Sequence, residues 1–192
     1  MSAIKQLQQT MERRRAGGRG AQPPNCGVDE TMNLRIREAD FEDSRDAEGI
    51  VAVLNSYAID PMGGSQALSP DVRERLVPTL REHPTSLVLL AFVDDEPVGI
   101  AICFFGLSTF RARPLLNIHD LAVLPGYRGQ GVGRALLQAA EDRARMKGCC
   151  KLTLEVRDDN TSARAVYQRF GFGDFVVGES APTRFLAKPL DV

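Results

Sequence analysis

The chain has 192 residues, with 24 basic against 25 acidic side chains and a formal net charge of −1; that length fits one domain and leaves little for a second. Apolar residues make up 43% and charged residues 26%, so a core can be buried, and the charge balance excludes an overall pull toward nucleic acid or an anionic membrane. No apolar run approaches the roughly 18 residues of a bilayer span, no secretory leader is recognisable, and Cys26, Cys103, Cys149 and Cys150 form no CxxC pair, so the expectation is a reducing cytoplasm without a disulfide framework or a bound metal.

Residues 1–33 carry five basic and three acidic residues. The stretch Arg13 to Pro24 is rich in Arg and Gly and has no apolar periodicity, so it cannot offset its own ordering entropy. Residues 1–32 therefore read as a flexible extension and residues 33–192 as one folded domain. Leu34 to Arg37 alternates as a strand. Asp40 and Asp43 then offer caps for a helix carrying Ile50, Val51, Leu54 and Tyr57. Pro61-Met62-Gly63-Gly64 breaks it. Ser69-Pro70-Asp71 combines a cap, a first-turn proline and an acid, and starts a second helix running to about Glu82. Leu87 to Val93 and Val98 to Phe105 are expected strands joined through Asp94-Asp95-Glu96-Pro97 as a hairpin. Leu115 to Val123 is a further strand, followed by a glycine-rich turn and a helix with Leu136, Leu137, Ala140 and Ala144. Lys151 to Val156 alternates, Asn160 to Phe170 reads as a helix stopped by Gly171, and Phe175 to Val177 and Thr183 to Lys188 read as closing strands.

The turn Arg128-Gly129-Gln130-Gly131-Val132-Gly133-Arg134 carries the first chemical signal. Glycines let the main chain turn and approach a ligand without Cβ clashes. The unpaired N–H groups and positive dipole end of the following helix then form an anion cradle suited to a pyrophosphate. On its own the segment reads equally as a glycine turn feeding a surface helix. The dinucleotide fingerprint G-x-G-x-x-G is not met, because the spacing is G-x-G-x-G and Cys149 stands where an acid is needed; the P-loop G-x-x-x-x-G-K-[ST] is absent.

With this turn, the sequence resembles the GNAT superfamily of acetyl-CoA-dependent N-acetyltransferases. The family hallmark [QR]-x-x-G-x-[GA] is met by Arg128, Gly131 and Gly133. A second hallmark, N-x-x-A-x-x-x-Y-x-x-x-G-F, is met by Asn160, Ala163, Tyr167, Gly171 and Phe172. The resemblance is motif-grade from Ile118 to Phe172 and extends in layout from Asn33 to Leu190.

It implies an α/β fold: a mixed, largely antiparallel sheet splayed between its fourth and fifth strands, flanked by about four helices, with acetyl-CoA as co-substrate in the split. By carry-over, main-chain groups of Leu121, Ala122 and Val123 bond the pantetheine arm, and Gly129, Gln130, Gly131, Val132, Gly133 and Arg134, with Arg128, hold the pyrophosphate. Asn160 and Ala163 line the lower arm and thiol.

The implied reaction is direct acetyl transfer to a primary amine of a small molecule. The alternatives are a protein N-terminal or lysine acetyltransferase, or an acetyl-CoA-binding protein without turnover. Such a transfer needs a proton acceptor, an oxyanion donor and an acid for the departing thiolate. Tyr167 matches the family's acid. The base is left open among His119, Asp120 and Glu155; strand alternation puts His119 and Asp120 on opposite faces unless a bulge intervenes. The 60–68 loop lies where relatives cover the acceptor. Many relatives dimerise, so a homodimer is one possible assembly, although no residue marks an interface.

Overall fold

The computed structural model describes residues 32–174 and 186–188. Five strands form one open sheet in the order β1 (Leu34–Glu38), β2 (Ser86–Val93), β3 (Glu96–Ser108), β4 (Arg113–Val123) and β5 (Leu152–Leu154). The first four pair antiparallel with their neighbours, and β5 joins β4 in parallel. Four helices accompany the sheet: α1 (Ser44–Ile59), α2 (Pro70–Glu82), α3 (Val132–Met146) and α4 (Thr161–Phe170). The mixed sheet with four helices is the expected fold. The closing strands expected at 175–177 and 183–188 lie outside the described residues except for Leu186 to Lys188, which carry no regular structure. The extension expected at 1–32 lies outside them too, apart from Met32.

The caps are those the sequence offers. Asp43 accepts the N–H of Arg45 at 2.9 Å to start α1, and Ser69 accepts that of Val72 at 3.3 Å to start α2, each satisfying a donor the first turn cannot pair. The β2–β3 hairpin closes through Asp94 and Asp95 alone, both at positive φ (48° and 69°), the backbone that a two-residue turn between right-twisted strands requires. Glu96 and Pro97, expected in the turn, already belong to β3.

Alternation along the central strands builds two apolar layers, one on each face of the sheet. Leu89, Ala101, Cys103, Leu116 and Ile118 pack with Val132, Leu136, Leu137 and Ala140 of α3. Val88, Leu90, Phe92, Ile100, Ile102 and Ala122 pack with Ile50 and Val53 of α1 and Leu80 of α2. At the rim of the second layer Asp46 is fully buried. Both of its oxygens accept from the Arg37 guanidinium, one bond measuring 2.7 Å, and Oδ2 also accepts the Asp40 N–H at 2.7 Å. The same guanidinium lies over the Phe92 ring, 4.4 Å from its centroid.

Two irregularities in β4 create the functional geometry. Opposite β3, Ile102 pairs with Asp120 but Cys103 pairs with Ile118, so His119 is an inserted residue. This bulge changes the alternation. Leu116 and Ile118 face α3, while beyond it Ala122 faces α1 and α2. Simple alternation across His119 and Asp120 is thereby corrected. The His119 ring meets Phe104 edge-on at 5.7 Å, and Phe104 packs on the α1/α2 layer. Asp120 acts on Tyr57 of α1, so both side chains serve that one face.

On its other side β4 meets β5 over three pairs only, Leu116–Leu152 to Ile118–Leu154. Among the described residues, 119–123 have no strand neighbour there, and the sheet splits. For the same reason β5 is shorter than the expected Lys151 to Val156: alternation persists, but the partner has diverged.

Candidate active site

The split opens into a cleft of about 580 Å³. One wall is the unpartnered edge of β4 at Leu121, Ala122 and Val123, and the facing wall is α4 through Asn160, Ala163, Val166 and Tyr167. The floor is the turn carrying Arg128, Gly129, Gly131, Gly133 and Arg134, and Tyr57, Asp60 and Met62 close the far side. Most of the residues assigned to the cofactor from the motifs thus share one cavity. Two do not line it. Val132 is buried in the α3 layer, leaving only its main chain to face a ligand. Gln130 is exposed and donates its amide to the Gly126 carbonyl at 2.8 Å.

The turn has the form of an anion cradle. Gly129 and Gly131 sit at φ 76° and 88°, a region that L side chains rarely adopt. A Cβ on either would project into open space, so backbone conformation rather than crowding calls for glycine there. Gly131 is the N-cap of α3 and supplies no side-chain cap, and the first N–H to reach back along the helix is that of Ala135, bonding the Gly131 carbonyl at 3.0 Å. The N–H groups of the preceding turn are therefore uncommitted at the positive end of the helix dipole. These features fit a pyrophosphate.

The two arginines of the turn differ. Arg128 donates from Nε to the Val123 carbonyl at 3.0 Å and from Nη1 to Asp60 Oδ2 at 2.9 Å. Arg134 is exposed. On the opposite wall Asn160 caps α4, its Oδ1 accepting the Ala163 N–H at 3.1 Å.

Beyond the cradle lie the groups able to move protons. Tyr167 packs edge-on against Phe172 at 5.9 Å, and burial, followed by the nearby Tyr57, pushes its phenol up to about 12. The Tyr57 phenol is raised by burial first, then by Asp120 and Asp60, against a smaller opposing pull from Arg157. Asp120 is half-buried, and burial raises its carboxyl above the usual range although His119 opposes this. Glu155, the residue after β5, is exposed and accepts the Asn117 amide at 3.3 Å. Tyr57 is thus influenced by Asp120 and in turn influences Tyr167; the two tyrosines line the cleft, whereas Asp120, the exposed His119 and the exposed Glu155 are not among its lining residues.

Sequence reasoning did not single out Tyr57 and Asp60. Tyr57 scores as one more apolar position on α1, and Asp60 meets a partner 68 residues away, which no local pattern signals. Among the described residues no cluster of three or more His, Cys, Asp or Glu side chains could hold a metal ion, and no helix is long and apolar enough to cross a membrane.

Comparison with known proteins identifies the family. Residues 47–172 match the model of the acetyltransferase (GNAT) family. The chain is 47% identical over 79 residues to streptothricin acetyltransferase of Streptomyces lavendulae, covering 41% of this chain and 40% of that protein. It is 35% identical over 82 residues to thialysine N-epsilon-acetyltransferase of Bos taurus, covering 43% of this chain and 48% of that one. The chain thus spans less than half the length of either enzyme. Among solved structures, a probable acetyltransferase superposes with a TM-score of 0.67 at 19% identity, over 80% of this chain and 99% of its own, a likeness of fold. With the family model spanning well over half of the chain, the protein belongs to the acetyltransferase (GNAT) family.

Proposed function

We propose that the protein moves the acetyl group of acetyl-CoA directly onto a primary amine of a small molecule. The observation that carries this reading is the meeting, in one cleft, of an uncapped helix N-terminus, an unpaired strand edge and a half-buried phenol. The cradle suits a pyrophosphate and the edge of β4 suits an amide-bearing arm, because a strand without a neighbour keeps N–H and C=O groups free, apart from the Val123 carbonyl, which Arg128 Nε takes at 3.0 Å. Similarity to enzymes named for streptothricin and for thialysine supports a small amine-bearing acceptor.

Acetyl-CoA supplies an activated thioester, and the chain supplies position and proton traffic. Asp120 is the proton acceptor. Held half-buried with its carboxyl raised, it is a stronger base than an exposed carboxylate, and an alkyl ammonium near pKa 10.4 must lose a proton before it can attack. His119, exposed beside it, relays that proton to solvent, while Glu155, also exposed, helps attract the cationic acceptor. Tyr167 faces the departing sulfur. A phenol near 12 is roughly three orders of magnitude weaker as an acid than a thiol near 8.5, so it acts by donating a hydrogen bond to the developing thiolate, with full proton transfer completed as the thiolate itself is desolvated. Leu121 to Val123, Gly129 to Gly133, Arg134, Asn160 and Ala163 hold the co-substrate.

The test is thioester cleavage by the purified protein across a panel of streptothricin, thialysine, an aminoglycoside, a polyamine and peptides with free N-termini or lysines. Turnover on a small amine with little on the peptides is expected. The reverse pattern would make this a protein acetyltransferase, and binding of acetyl-CoA with no turnover on any acceptor would make it a non-catalytic binder.

The pH profile tests the base. Asp120 works only when ionised, so kcat/KM should fall as pH drops through its raised pKa. The acid limb should therefore lie above the ordinary Asp value of about 3.9, and Asp120→Asn should abolish that limb while costing about 10²–10⁴-fold in rate. A variant that keeps both the limb and the rate would move the role to His119 or Glu155.

A further inference from the structure

We propose that Arg128 is a positioning residue committed to Asp60, and that Arg134 is the arginine the cradle offers to a pyrophosphate. The inference rests on acetyl-CoA occupying the cleft and divides the labour between two arginines of the same turn. The Arg128 guanidinium is engaged on two edges: Nε donates to the Val123 carbonyl at 3.0 Å and Nη1 to Asp60 at 2.9 Å. It therefore ties the end of β4 to the end of α1.

Asp60 is in turn the hub of the loop that follows α1. Its Oδ1 accepts the Met62 N–H at 2.9 Å, and its own carbonyl accepts the N–H groups of Gly63, Gly64 and Ser65 at 2.8, 3.1 and 3.2 Å. The Asp60 side chain is only 18% exposed, so swinging Arg128 away to a phosphate would leave a partly covered carboxylate without its cation. The Met62 N–H first and Arg128 second hold the Asp60 carboxyl below the usual range, which keeps it ionised and paired.

The loop is also seated closely on α1, since a Cβ on Gly63 would fall 1.9 Å from the Tyr57 carbonyl oxygen. Bracing Asp60 thus fixes the turn of helix that carries Tyr57, the phenol facing Asp120 and Tyr167. Arg134 has no such commitment. It lines the same cleft from the first turn of α3 and, among the described residues, its side chain makes no hydrogen bond or ion pair.

Two measurements test this. In titration calorimetry with acetyl-CoA, Arg134→Gln should weaken binding by about tenfold or more, with a shallower salt dependence, as expected on losing a charge-assisted bond. Arg128→Gln and Asp60→Asn should each change that affinity by less than about threefold. In hydrogen exchange without ligand, the amides of Met62 to Ser65 should exchange about 3–10-fold faster in both of those variants. The double variant should be no faster than either single one, and Arg128→Lys, which keeps the cation, should restore most of the protection. A tenfold loss of acetyl-CoA affinity in Arg128→Gln, unmatched by Asp60→Asn, would overturn the assignment and make Arg128 a phosphate ligand. Additive exchange effects would overturn the pair. Failure of the unaltered protein to bind acetyl-CoA would instead defeat the parent reading, with the exchange arm still deciding the pair.

Discussion

Replacing Tyr167 by Phe is expected to lower kcat by about 10²–10⁴-fold, the usual yield of a positioned proton donor. The substitution keeps the ring, its edge-on contact with Phe172 at 5.9 Å and the helix capped by Asn160 and Gly171, and removes only the hydroxyl. Affinity for acetyl-CoA should move little, because the cradle and the β4 edge lie elsewhere in the cleft. The phenol near 12 is protonated throughout any working pH, so the loss should be uniform across the neutral range rather than confined to one limb. Where product release limits turnover, a chemical defect is partly masked, and single-turnover rates are the proper measurement. Unaltered single-turnover rates in Tyr167→Phe would remove the phenol from the mechanism.

The largest expected effect on stability comes from Arg37→Leu. It leaves Asp46, which is 0% exposed, without its cation and with the Asp40 N–H as its remaining donor. Stranding one partner of a buried pair costs about 3–5 kcal/mol, and because the Arg37 side chain is 45% exposed the lower end, about 3 kcal/mol, is expected. The sign with pH follows from the carboxyl. Burial alone would raise it, but the Arg37 bond and the Asp40 N–H outweigh burial and hold it below the usual range. A lowered folded value contributes stability above the unfolded value of about 3.9 and loses it as pH falls through the folded one. The gap between the two proteins should therefore be full at pH 7 and narrow below about pH 4. Urea denaturation at both pH values measures it. A difference under about 1 kcal/mol at pH 7 would show that the pair breaks even against a leucine packed on Phe92.

The helices and the first four strands were legible because their signals are local. Asp43, Ser69 and Asn160 cap the helices they precede, and Leu87 to Val93 is a buried run with a tight turn behind it. The glycine turn was legible because positive φ at Gly129 and Gly131 leaves few other residues to choose from. What escaped depends on distant partners. The bulge at His119 is set by how β4 registers against β3, and nothing in Ile118-His119-Asp120 marks the slip. The length of β5 is set by the divergence of β4, and the engagement of Arg128 by an aspartate at the end of another helix. Family motifs identified which residues gather at the cleft, but not which of two arginines is already occupied.

The unpaired stretch of β4 has a consequence for solubility. An exposed strand edge is a template for another chain, and proteins ordinarily blunt such edges with charge, proline or a covering element. Leu121, Ala122 and Val123 offer none of the first two. Their protection is that the edge lies within the sheet rather than at its margin, with α4 as the facing wall. The same row of groups that would make a sticky border on the outside of the molecule is, turned inward, shielded by the helix that faces it.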